Sequence, residues 1–154
     1  MKVMKKTYAV LVIILVLTAS FGLTGCDNGL GGGGEAALNG TWDGIGAAAG
    51  NTVIIHNGNI EGHYRGLPIY RGTFTISGNT MTTTVTHIHG SQFAELGFPP
   101  TWFLRAQLRV MFMGLGVPLA ETEALLDGLF VTDSAPFSLS GNTLSSGGYT
   151  FVRR

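Results

Sequence analysis

The sequence predicts an all-β domain, mainly a small antiparallel up-and-down β-barrel, interrupted once by a helical hairpin. Three observations lead there. From Asn39 onward, short apolar–polar alternations are punctuated by Asn-Gly and Gly-Asn pairs, the residues that two-residue hairpin turns demand. The run Phe74-Thr75-Ile76-Ser77-Gly78-Asn79-Thr80-Met81 is echoed by Phe137-Ser138-Leu139-Ser140-Gly141-Asn142-Thr143-Leu144, so one hairpin pattern occurs twice. Only one stretch, about residues 99–131, has helical composition. Seven or eight up-and-down strands best remove their exposed edges by closing into a barrel.

Ahead of the strands, Lys2, Lys5 and Lys6 precede an apolar core from Tyr8 to Ser20. That core is too short for a comfortable bilayer span, which takes about 20 residues, and fits an export signal over residues 1–25. Leu23-Thr24-Gly25-Cys26 then resembles a bacterial lipobox. The resemblance implies cleavage before Cys26, a lipidated amino terminus and attachment to a bilayer in the cell envelope, with neither membrane assigned. Two or more acyl chains hold a protein stably where one does not. Residues 26–38 read as this cysteine and a glycine-rich tether, and residues 39–154 as the folded domain.

The first strand is Gly40 to Ile45. Thr52 to His56 and Asn59 to Arg65 flank Asn57-Gly58, which puts Val53, Ile55, Ile60 and Tyr64 on one face and His56, Asn59, Glu61 and His63 on the other. Arg71 to Ser77 and Thr80 to His89 flank Gly78-Asn79. Simple alternation there turns Tyr70, Phe74, Ile76, Met81 and Val85 inward, with Thr83, His87 and His89 on the same side, while Thr73, Thr75, Thr82, Thr84 and Thr86 face water. Pro100 to Met113 and Pro118 to Phe130 read as two helices around Gly114-Leu115-Gly116. The last hairpin is completed by Tyr149 to Arg153.

At Asn39-Gly40-Thr41-Trp42 the chain resembles the lipocalins and their bacterial lipocalin-like lipoprotein relatives, which open their first strand with Gly-x-Trp. The resemblance covers roughly residues 39–89 and 136–153 and implies a lipocalin-like barrel. It also implies an arginine on the last strand across the tryptophan, making Trp42 and Arg153 the expected closure pair. The family's mid-chain Thr-Asp-Tyr motif is absent, and the helices sit inside the strand series instead of after it.

Charge and composition narrow the function. The 129 residues from Cys26 onward hold six arginines, nine carboxylates and no lysine, a formal charge of −3, which speaks against nucleic-acid binding. A single cysteine excludes an internal disulfide. No serine, cysteine or carboxylate pair is arranged for nucleophilic or acid–base work, so no catalytic residue, metal or cofactor is assigned. His87 and His89 lack a third ligand spaced to complete a metal shell. The expectation is a monomeric, non-catalytic binder of a small apolar or amphipathic molecule at the barrel mouth. Its candidate residues are Tyr70, Val85, His87, His89, Trp102 and Phe103, with a histidine orienting the ligand's polar end. The alternative is an envelope interaction protein with a filled barrel.

Overall fold

A computed structural model describes residues 34–154; the expected export signal, the lipobox-like stretch with Cys26 and most of the expected tether lie outside the described residues. Nine strands run β1 (Gly40–Ile45), β2 (Asn51–His56), β3 (Asn59–Tyr64), β4 (Leu67–Ser77), β5 (Thr80–His89), β6 (Trp102–Phe103), β7 (Thr132–Ser140), β8 (Thr143–Ser146) and β9 (Tyr149–Arg153). Two α-helices, α1 (Arg105–Gly114) and α2 (Leu119–Leu129), lie between β6 and β7. Eight strands close into an antiparallel barrel in the order β1-β2-β3-β4-β5-β7-β8-β9, with β9 returning to β1. β6 pairs only with the end of β5.

Turn chemistry sets the registers. Asn57 and Gly58 both take positive φ, 49° and 76°, as the tight hairpin between β2 and β3 requires. Gly78 and Gly141 adopt near-identical φ of 57° and 55°, so the repeated sequence forms the same turn twice. Ser77 faces Thr80 in one copy and Ser140 faces Thr143 in the other.

Two cores result. The barrel interior packs Trp42, Ile55, Ile60, Phe74, Met81, Phe137, Leu144 and Phe151, with Leu38 closing one end. A second core packs Ile88, Phe93, Phe98, Phe103, Leu108, Phe112, Leu126 and Leu129, and caps the other end. Arg105 on α1 donates to Glu123 (2.8 Å) and Asp127 (2.6 Å) on α2, and Arg109 donates to Glu123. These ion pairs clasp the two helices together.

The structure departs from the sequence reading in three places. Glu35–Leu38, inside the expected tether, forms a 3-10 turn with Leu38 almost fully buried, because a leucine at the barrel's end gains more from burial than from water. The insertion begins at Gly90 rather than about residue 99, with a 3-10 segment Gly90–Leu96. Trp102 and Phe103, expected in a helix, pair with His89 and Ile88 instead. Leu104 keeps extended backbone, ψ 159°, and its N–H donates to Gln107 Oε1 at 2.8 Å, so the helix starts at Arg105.

Candidate functional site

A cavity of about 160 Å³ runs through the barrel interior toward the end covered by the helices. Val53 and Ile55 of β2, Tyr70 of β4, Met81, Thr83 and Val85 of β5, Leu129 of α2 and Tyr149 of β9 line it. Val53, Ile55, Met81, Thr83 and Val85 face inward as their hairpin pairings require. The lining extends to Val131 and to the exposed Asp133, which brings the cavity to the surface beside β7. There the edge of β5 is shared: β7 pairs with Thr80–Thr84, and β6 pairs with Ile88 and His89.

Tyr70 occupies the junction of the two cores. Its ring lies over Gly62, where an added Cβ would approach a ring carbon to 2.1 Å, so only glycine leaves it room. Burial pushes the Tyr70 phenol up to about 12.

Of the expected ligand contacts, the structure brings Tyr70 and Val85 to the cavity and places the other four elsewhere. The pairing of β4 with β5 follows the predicted register from Ser77/Thr80 to Gly72/Val85, then slips by one residue, so that Arg71 faces His87. Thr86 is the extra residue of this bulge, and a one-residue slip sends everything beyond it to the opposite face. His87 and His89 are therefore on the outer wall, correcting their expected inward placement. Gly72 was the available signal. A Cβ there would meet the Thr84 carbonyl oxygen at 2.2 Å, and glycine inside a strand marks such close approaches.

On that outer wall His87 lies in a groove with His56, Glu61 and Arg71. His89 is buried under Trp102, edge to face at 4.8 Å, and its Nδ1 meets Ser91 Oγ at 2.7 Å. The Arg71 guanidinium lies over the Trp102 ring, 4.1 Å from its centroid, and donates to Glu61 at 2.6 Å. Glu61 also contacts His63 at 2.7 Å. Partial burial draws the Glu61 carboxyl upward, but the hydrogen bonds from Arg71 and His63 outweigh it and hold the group below its ordinary range. Phe103 packs in the helix-side core against Phe98, 6.0 Å between centroids. No group of three or more potential metal ligands occurs among the described residues.

At the opposite end, Trp42 and Arg153 are direct cross-strand partners, and the guanidinium sits 4.5 Å from the indole centroid. Arg153 also donates to the Ala37 carbonyl, and the Trp42 indole N–H donates to the Leu38 carbonyl at 2.8 Å. Arg154 forks onto Asp43 at 2.8 and 2.7 Å. The hydrogen bonds from Arg154 and then Thr52 hold the Asp43 carboxyl below its usual range.

Comparison with protein-family models, curated proteins and solved structures finds no match in any of the three.

Proposed function

We propose that this protein is a lipid-anchored, non-catalytic binder of a small apolar or amphipathic molecule, held inside a lipocalin-like barrel. The apolar interior cavity of about 160 Å³ carries the reading. An engineered apolar cavity of about 150 Å³ stays dry and takes up benzene, so this volume suits a molecule of that size. Drug-sized ligands need pockets of roughly 300–1,000 Å³, which sets long-chain lipids and large cofactors outside the range. Kinship with the lipocalins is supported by the stacked Trp42–Arg153 pair joining the first and last strands. Anchoring through Cys26 rests on the lipobox resemblance, and the envelope is the matching location.

One observation favours a second reading, an envelope interaction protein. The helical hairpin exposes Val110 (70%), Leu119 (55%), Leu115 (52%) and Met113 (46%) to water, and clustered apolar exposure marks interaction surfaces.

Mass spectrometry of the protein purified from a bacterial envelope tests the proposal. Under native conditions, a retained small molecule is expected, released on denaturation. The denatured chain should begin at Cys26 and carry the mass of its acyl groups. A consistently empty barrel would count against carriage, and an unmodified Cys26 would remove the anchor.

A further inference from the structure

Of the residues that line the cavity, only Asp133 carries a charge. Its place follows from the strand register. Asp133 lies opposite Thr83, and Ala135 lies opposite Met81, whose side chain is buried in the barrel core. Asp133 and Ala135 therefore share the inner face and both line the cavity. Between them Ser134 faces outward, its hydroxyl 2.7 Å from Thr82 Oγ1. Asp133 is exposed, so its carboxylate stands where the apolar interior meets water. One of its oxygens accepts the Ser134 N–H at 2.9 Å, and it enters no ion pair among the described residues. Asp43, Glu61, Glu123 and Asp127, by contrast, are each matched with an arginine.

Resting on the binding reading above, we infer that the cavity takes a small hydrocarbon body bearing one ammonium group, and that Asp133 receives the cation at the mouth. The direction of binding follows from the cost of burying charge. The hydrocarbon gains by leaving water for the space among Ile55, Met81 and Val85, whereas an ammonium drawn that deep would lose its hydration with no counter-ion beside it. At the mouth the ammonium keeps part of its water and gains an opposite charge, which acts over several ångströms near a protein surface. The Thr83 hydroxyl is on the same face, directly across the ladder from Asp133, and opposed Cβ atoms in such pairs are about 4.5–5.5 Å apart. An ammonium donates three hydrogen bonds and accepts none, so the carboxylate and this hydroxyl can both serve it. A ligand ending in a carboxylate meets repulsion at the same point. The polar-end role expected of His87 or His89 thus falls to Asp133, since the bulge at Thr86 turns both histidines away from the cavity.

The test titrates the full chain at neutral pH separately with benzylamine, toluene and benzoate, following the methyl NMR signals of Val53, Val85 and Val131. Benzylamine, a cation under these conditions, should bind about tenfold more tightly than toluene, the ratio that one charged hydrogen bond at a wet site supplies. Benzoate should bind more weakly than either. Asp133→Asn should abolish the preference, lowering benzylamine to the level of toluene and leaving toluene unchanged; retained toluene binding certifies that the variant is folded. Equal binding of benzylamine and toluene by the native chain overturns the role of Asp133 and leaves the cavity reading standing. So does benzoate binding as tight as that of benzylamine, or an amine preference that survives in Asp133→Asn. Failure of all three probes to bind a folded native chain overturns the cavity reading, and this inference with it.

Discussion

At the end where the described chain enters the barrel, closure joins the first strand to the last. A 3-10 turn places Leu38 four residues before Trp42, the indole N–H bonds back to the Leu38 carbonyl, and Arg153 of the last strand covers the ring. At the opposite end, closure is made by the segment inserted between β5 and β7. The insertion folds α1 and α2 over Ile88, and Phe93, Phe98 and Phe112 meet at centroid distances of 5.3 to 5.4 Å. The first end is sealed by a latch between the terminal strands, and the second by a cap resting on the wall. The cavity reaches the surface on the capped side, beside β7. Access and tight closure are thereby separated along the barrel, and each end can be perturbed alone.

The largest effect is expected at the latch. Trp42 is fully buried, and Trp42→Ala would remove its packing, orphan the Leu38 carbonyl and strip the ring from beneath Arg153. Truncating a buried aromatic costs about 3–5 kcal/mol, and the guanidinium–indole contact contributes up to ~2 kcal/mol of that when desolvated. Urea denaturation should show the midpoint falling accordingly. A midpoint unchanged within error would mean that the latch does not hold the terminal strands together.

The same contrast explains what could be read in the sequence. The hairpins were legible because their determinants are sequence neighbours, Asn57-Gly58 and two copies of Gly-Asn at the turns, whereas the latch partner Arg153 was expected only through the lipocalin resemblance carried by Gly40-Thr41-Trp42. The inward positions Val53, Met81, Thr83 and Val85 followed from those turns by alternation alone. The capped end was less legible, because it depends on where alternation stops. One inserted residue, Thr86, reverses the facing of His87 and His89. Trp102 and Phe103 are drawn into a strand by an open edge on β5 that no local propensity announces. The place of Tyr70 between the two cores is a property of tertiary packing, and only its inward facing was available from the pattern.

A middle-sized effect is expected at the boundary between the two ends. Gly72→Ala would press a methyl against the Thr84 carbonyl oxygen, 2.2 Å from the ideal Cβ position, and backbone has no rotamer by which to yield. Overpacking of this kind costs about 1–3 kcal/mol. Beyond lower stability, the amide signals of Arg71 and His87 should move more than those of Phe74 and Thr83, because relief comes from shifting the bulge. Wild-type stability and spectra would show that the slip does not need glycine.

The smallest effect belongs to acid acting on the capped side, and its sign follows from His89. Burial, reinforced by the nearby Arg71 charge, holds this imidazole below its ordinary pKa of 6.5, while Glu61 and a hydrogen bond with the Pro100 backbone pull weakly the other way, and His63 adds to the depression. In the unfolded chain the group protonates first on acidification, so its contribution to stability is complete above about pH 6.5 and is lost as pH falls through the lower folded value. Glu61 does not share that window, since its carboxyl is held below the ordinary carboxylate range and stays charged throughout. Between pH 7.5 and 5 the packing of Trp102 over His89 should therefore loosen without unfolding the barrel. The Trp102 indole N–H signal should shift and exchange faster with solvent, while the Trp42 signal at the latch stays put. His89→Gln should remove the transition. Equal movement of both indoles would mean that acid destabilises the barrel as a whole, and that its two ends are not independent.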